Sequence, residues 1–299
     1  MAESLDIARA GLLAGVPHGF LGRSGGVSGG AVASLNCGLG AGDDPAAVAE
    51  NRRRAGEAVL PGARMVGVYQ VHSPDCVTVA EPWDDDSRPQ ADALVTDRAG
   101  LVLAIVTADC APVLLADLQA RVIGAAHAGW KGAIGGVCEA TVAAMETLGA
   151  QRSRIVAAIG PCIAQPSYEV DEAFRARFMA EDPASDRFFK AGRAGHCQFD
   201  LERMVAARLA GGGVGRVEAT DRTAPNAGMK GGRKRAKNAV GRPAFRVYQA
   251  RQAALCHGSV RGGTGAWGHL HRVLERRDRC SDFKVRHRAC DRRAPGKQG

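Results

Sequence analysis

The chain has 299 residues, 45% of them hydrophobic and 24% charged, with a formal net charge of +9. This fits a folded protein of one large or two small domains and excludes a wholly disordered chain, while no apolar run approaches the ~20 residues that span a bilayer. The charge is unevenly placed: residues 226–299 hold 19 Lys and Arg against 4 Asp and Glu, leaving 21 basic and 27 acidic residues in 1–225.

Two segments are therefore expected, a domain over 1–225 and a basic, Gly/Arg-rich tail over 226–299 that lacks apolar periodicity and reads as disordered. The acidic start Met1-Ala2-Glu3-Ser4-Leu5-Asp6 does not have the basic-then-apolar order of a secretory signal. Nine cysteines occur without a C-x-x-C pair. An odd set without an export signal points to reduced thiols and a cytoplasmic location.

In chain order, the stretch from His18 to Gly30 has the glycine and serine density of loops and tight turns. Asp43-Asp44-Pro45 supplies cap residues and a first-turn proline for a helix over Ala46 to Leu60. The alternation Val66-Gly-Val-Tyr-Gln-Val-His72 predicts a strand ending near His72. Leu101 to Val106 and Pro112 to Asp117 read as buried strands on either side of Cys110. A further strand is expected over Arg121 to His127, a helix over Gly132 to Leu148, and a strand over Ile155 to Ile159. Helices are expected over Glu169 to Met179 and Leu201 to Ala210, the second stopped by Gly211-Gly212-Gly213. Strands come in groups with helices between them, which favours an α+β single domain of layered mixed sheets over a doubly wound fold.

Three metal-capable side chains, His72, Cys110 and His127, fall at the edges of predicted strands. If those strand ends meet, one sulfur and two imidazoles make three ligands of a tetrahedral site with the fourth position open, a reactive zinc. The first 225 residues contain only four histidines, His18, His72, His127 and His196, so few other partners exist. Taken singly, such a histidine is more often a structural residue and such a cysteine more often a small buried hydrophobe. The same Cys110 and His127 can instead form a nucleophile and its base, as in a Cys-His hydrolase or amidase acting on a peptide or cell-wall precursor. Sequence order does not separate the two.

Other patterns carry less. Gly22-Arg23-Ser24-Gly25-Gly26 matches the nucleophile-elbow spacing, but glycines follow where a helix should begin. Gly263 to Gly268 matches G-x-G-x-x-G without a flanking strand or helix. His269 and His271, and the set Cys280, His287 and Cys290, fall in the same basic segment and read as coincidence. That segment is rich enough in Lys and Arg to bind nucleic acid non-specifically, although only Phe245, Tyr248, Trp267 and Phe283 interleave aromatics.

The sequence resembles the laccase-domain, or multicopper polyphenol oxidase-like, family associated with purine nucleoside phosphorylase activity. The resemblance rests on His18-Gly19-Phe20 with Arg23 to Ser28, Ser34-Leu35-Asn36-Cys37-Gly38, Gly42-Asp43-Asp44-Pro45 with Glu50-Asn51-Arg52, and Gln70-Val71-His72-Ser73. It continues through Thr107 to Val113, Ala125 to Trp130, and Ile159 to Ile163 with Tyr168-Glu169-Val170, in order across about 150 residues.

The resemblance implies zinc on His72, Cys110 and His127, and phosphorolysis of adenosine, inosine and methylthioadenosine with adenosine deamination beside it. Asp109 would move a proton, and Cys110 and His127 would sit at the reacting centre. Arg23, Asn36 and Lys131, with the N–H groups of the helix start near Gly132, would bind substrate and phosphate. The older copper label meets a shortage of ligands: four histidines and no H-x-H pair in 1–225 do not make a set of blue-oxidase sites, although one bound copper would suffice for weak phenol oxidation. Two departures stand out. Lys131 replaces the family's usual arginine and loses its bidentate fork. The family's closing strand motif is missing after Asp221, where composition, periodicity and pattern change together as they would after a shift of reading frame near 221–230.

Overall fold

In the computed structural model, the residues described are 4–220 and the strand Arg246–Ala250. All of them belong to one contact unit, Met1–Ala254. In chain order the elements are β1 (Ile7–Ala8), β2 (His18–Leu21), α1 (Pro45–Val59), β3 (Arg64–Gly67), β4 (Cys76–Thr78), β5 (Ala93–Thr96) and β6 (Leu101–Val106). They continue as β7 (Ala111–Asp117), β8 (Val122–Ala128), α2 (Trp130–Gly135), α3 (Val137–Thr147), β9 (Val156–Ile159), β10 (Glu169–Asp171) and α4 (Glu172–Glu181). The last are β11 (Phe189–Ala191), β12 (His196–Phe199), α5 (Leu201–Gly211), β13 (Arg216–Ala219) and β14 (Arg246–Ala250).

The strands form a five-stranded sheet in the order β1-β2-β14-β6-β3, a six-stranded sheet in the order β13-β9-β7-β8-β5-β4, and a small sheet in the order β10-β12-β11. The continuous apolar runs are explained by layering. Along β6, Leu101, Leu103 and Ile105 pack with Leu114, Ala116, Ile123 and Ala125 of β7 and β8 between the two large sheets, while Val102 and Ala104 pack under Ala55 and Val59 of α1. Along β7, Val113 and Leu115 point the other way, onto Val142 and Met145 of α3 and Val205 and Leu209 of α5. A strand buried on both faces shows no polar alternation, although its side chains still divide with period two. Each fully buried Leu or Ile contributes about 1.5–3 kcal/mol of transfer free energy. This is the expected α+β single domain of mixed sheets.

Several boundaries differ from the sequence reading. His18–Leu21 is a strand with all four residues buried rather than loop, because Phe20 fills the space between the large sheets and Leu21 the space under α1. The strand expected to end near His72 stops at Gly67, and the chain then turns away through a bend. The helix expected over Gly132 to Leu148 is two pieces, broken at Gly136, whose φ of +97° is the left-handed region where glycine has no Cβ to clash. Residues Glu169–Asp171 are a strand that pairs with β12, so α4 begins three residues late, with Asp171 accepting from the Phe174 N–H as its cap.

The sequence reading gives the segment after 225 no strand, yet Arg246–Ala250 lies antiparallel between β2 and β6. Without it those two strands would face each other with unpaired N–H and C=O groups, a demand on the backbone that any chain of suitable reach can satisfy. The gap between β2 and β6 is therefore filled. The G-x-G-x-x-G match, His269, His271, Cys280, His287, Cys290, the change near 221–230 and the side chains expected to meet nucleic acid lie outside the described residues.

Candidate metal centre

Pairing of β7 with β8 sets Ala111 opposite Ala128 and Pro112 opposite His127. Cys110, one residue before β7, therefore arrives beside His127 near the end of β8. His72 comes from the loop between β3 and β4. Its φ of +62° places a non-glycine residue in the left-handed region, a strained conformation that needs outside support.

That support is Asp92, immediately before β5 and fully buried. Its Oδ2 accepts the N–H groups of Val71 at 3.0 Å and Ser73 at 2.6 Å, on either side of His72. Its Oδ1 accepts from His127 Nδ1 at 2.7 Å, and its carbonyl accepts the His127 N–H at 2.7 Å. Since a carboxylate only accepts, His127 carries a proton on Nδ1, and Nε2 is the ring nitrogen left to bind a metal once it has no proton of its own.

The result is convergence. The ligand atoms of His72, Cys110 and His127 all lie within 4.8 Å of one another, with Cys110 Sγ 4.0 Å from His72 Nε2. The two imidazole rings meet edge-on at 4.8 Å between centroids. Among the described residues no other group of three such side chains gathers in this way. Gly129 makes the approach feasible, because a Cβ there would stand 2.9 Å from both Cys110 Sγ and His72 Cδ2.

The electrostatics follow from burial and partners. Burial opposes ionisation of Cys110, but His127 and His72 outweigh it and bring the thiol down to about 7. Burial disfavours the charged form of His127, yet Asp92 and Cys110 raise it to about 9. Burial also works against the Asp92 charge, and the bonds from His127 and the Ser73 and Val71 N–H groups overcome it, holding the carboxyl below its usual range. A thiolate beside two imidazoles is a borderline-soft donor set that suits zinc and also copper. Donors at 2.0–2.3 Å from a tetrahedral ion sit roughly 3.3–3.8 Å apart, so closing the trio takes about 1 Å of contraction.

Asp109 is exposed in the loop before Cys110, and its carbonyl accepts the Ile163 N–H at 2.9 Å. Burial pushes up both the Tyr168 hydroxyl and the Cys162 thiol, and nearby negative charge adds to it, from Cys110 and Asp109 at Tyr168 and first from Glu202 and Asp200 at Cys162. Lys131 is exposed at the second residue of α2, its ammonium 5.7 Å from the Trp130 ring centroid. The helix start is at Trp130 rather than Gly132, and six residues give only a short dipole, so an anion here depends on side chains.

Arg23 is exposed, and its carbonyl accepts from Ser34 and Leu35. Asn36 is buried; its amide donates to Asp43 Oδ2 at 2.8 Å, and its Oδ1 accepts the Gly38 N–H at 3.1 Å. Asp92, Gly129 and Tyr168 were not singled out as functional by sequence reasoning. Gly129, between His127 and a helix start, and Tyr168 stand in stretches that carry the family resemblance, whereas Asp92 gave no signal.

The profile of the family described as multi-copper polyphenol oxidoreductase laccase matches residues 17–228. The chain belongs to this family. Among laccase-family relatives, a Streptomyces coelicolor protein named purine nucleoside phosphorylase is 47% identical over 172 residues, 57% of this chain and 71% of the relative. A Deinococcus radiodurans protein of the same name is 44% identical over 217 residues, 72% of this chain and 81% of the relative. The crystal structure of a Neisseria meningitidis protein superposes with a TM-score of 0.71 at 29% identity, covering 83% of this chain and 99% of that one. YlmD from Geobacillus stearothermophilus gives 0.68 at 28% identity, covering 81% and 94%. For this member of the laccase family, no helix among the described residues is long and apolar enough to cross a membrane.

Proposed function

We propose that the protein is a zinc-dependent purine nucleoside enzyme that cleaves adenosine, inosine or methylthioadenosine with phosphate, with adenosine deamination as a side activity. The convergence of His72, Cys110 and His127 within 4.8 Å carries this reading, together with the name purine nucleoside phosphorylase borne by relatives 44–47% identical. Held by His72, Cys110 and His127, zinc would supply a Lewis acid able to polarise an oxygen or ring nitrogen of the nucleoside.

The protein's own residues do the rest. Asp92 fixes the tautomer of His127 and the bend that presents His72. Asp109, exposed beside Cys110, takes or returns the proton. Lys131 and Arg23 offer positive charge to phosphate, and Asn36 keeps the glycine-rich loop in shape for substrate. Copper in place of zinc would fit the same donors without a set of oxidase sites.

One observation favours a second reading. A thiol brought to about 7, beside an imidazole that Asp92 orients, is also the arrangement of a Cys-His-Asp hydrolase. Purified protein incubated with adenosine and inosine, with and without phosphate, and resolved by chromatography tests the first. The expected result is base and ribose 1-phosphate only with phosphate present, one zinc per chain, and loss of both in Cys110→Ala. Turnover and zinc content unchanged in that variant would end the proposal. Rapid alkylation of Cys110 in protein carrying stoichiometric zinc would favour the hydrolase.

A further inference from the structure

A cavity of about 290 Å³ lies where the ends of β3 and β6 meet α1 and the loop over residues 37–40, and none of the metal-capable trio lines it. Its size is at the lower end of small-molecule sites. Among its lining residues, Gln70 is tied to the end of β6, its amide donating to the Val106 carbonyl at 2.8 Å and accepting the Val106 N–H at 2.9 Å.

Two guanidinium groups line the cavity. Arg52, with its side chain only 11% exposed, gives one nitrogen to Asp85 Oδ1 at 2.8 Å. Arg88 gives Nε to the Asp85 carbonyl. Among the described residues, no other protein acceptor meets the remaining N–H groups of either side chain, and a guanidinium carries five donors. Asp85 balances one positive charge of the two. Tyr69 adds a ring that is 53% exposed, 5.8 Å from the Arg88 guanidinium carbon, and Leu39 adds apolar surface at 42% exposure. Exposed aromatic area beside unspent, partly buried guanidinium donors recognises a planar ring and an oxyanion in one molecule.

We infer that this cavity binds a small planar ring carrying a phosphate, a nucleoside monophosphate in size and chemistry, with the ring against Tyr69 and the phosphate on Arg52 and Arg88. None of His72, Cys110 and His127 lines this cavity, although the loop that Asn36 shapes borders it, and AMP binding here does not require the reaction proposed at the metal centre.

The test is calorimetric titration of the full chain, and of its Cys110→Ser variant, with AMP, adenosine and inorganic phosphate. AMP is expected to bind both proteins at least tenfold more tightly than either fragment. Arg88→Gln and Tyr69→Ala, at half-buried and exposed side chains, are each expected to weaken AMP about tenfold with melting temperature unchanged, the size of one charge-assisted bond or one ring contact. Equal affinity for AMP, adenosine and phosphate, or AMP affinity unchanged in both variants, overturns the inference. So does loss of AMP binding in Cys110→Ser, which would move the ligand to the metal centre. Absence of phosphorolysis in the same preparations counts against the reaction alone.

Discussion

Asp92 and His127 are joined twice, side chain to side chain and main chain to main chain, each at 2.7 Å, and the same carboxylate clamps the backbone on both sides of His72. One buried acid thus orients two of the three ligand candidates. Replacing it by Asn keeps the shape but turns one acceptor oxygen into a donor that faces either His127 Nδ1–H or the Val71 and Ser73 N–H groups. Asp92→Asn should lower zinc affinity about 10–100-fold, the usual effect of losing the partner behind a metal histidine. Competition with a chromophoric chelator measures it.

Gly129→Ala isolates the geometry. The added methyl group would lie 2.9 Å from Cys110 Sγ and His72 Cδ2, too close for any real contact, so the two donors must part. The expected cost is about 1–3 kcal/mol of stability from overpacking, with zinc content falling to near zero while the circular dichroism spectrum stays native. Full zinc occupancy in this variant would show that the three side chains do not share an ion.

Much of this centre was legible in the sequence because the residue types are scarce. Four histidines over 225 residues make His72 and His127 stand out, and Cys110 interrupts two apolar runs that could only be neighbouring strands. The route by which they meet was less legible. His72 is delivered by a bend whose left-handed backbone only Asp92 explains, and an aspartate 35 residues from its imidazole partner looks like any polar residue ahead of a strand. The buried strands gave composition without register, since apolar runs buried on both faces hide their period. Arg246–Ala250 gave no signal, because its place between β2 and β6 is set by main-chain pairing that composition does not record.

The thiols should differ in reactivity. Burial raises Cys76 and Cys138 to about 12 and pushes Cys162 and Cys197 up as well, whereas the two imidazoles lower Cys110 to about 7. In metal-free protein, iodoacetamide at pH 7 should label the Cys110 peptide first among these five, at a rate that rises with pH and reaches half its maximum near 7. Zinc should suppress that labelling, because the thiolate is then a ligand. Peptide mass spectrometry reads both results.

Acid stability should depend on Asp117, at the end of β7. Burial, with 1% of the residue exposed, opposes its charge. The Arg154 guanidinium at 2.9 Å and the N–H groups of Gln151, Ala120 and Gln119 overcome that and hold the carboxyl below its usual range. A carboxyl depressed on folding binds its proton more readily in the unfolded chain. Its contribution is therefore complete above the unfolded value near 4 and is lost as pH falls through the lower folded value. Asp117→Asn should cost about 2–4 kcal/mol at pH 7, since it leaves Arg154 without its partner. Urea midpoints from pH 7 to pH 3 should then fall less steeply in the variant than in the parent, and parallel slopes would show that Asp117 carries no pH-linked stability.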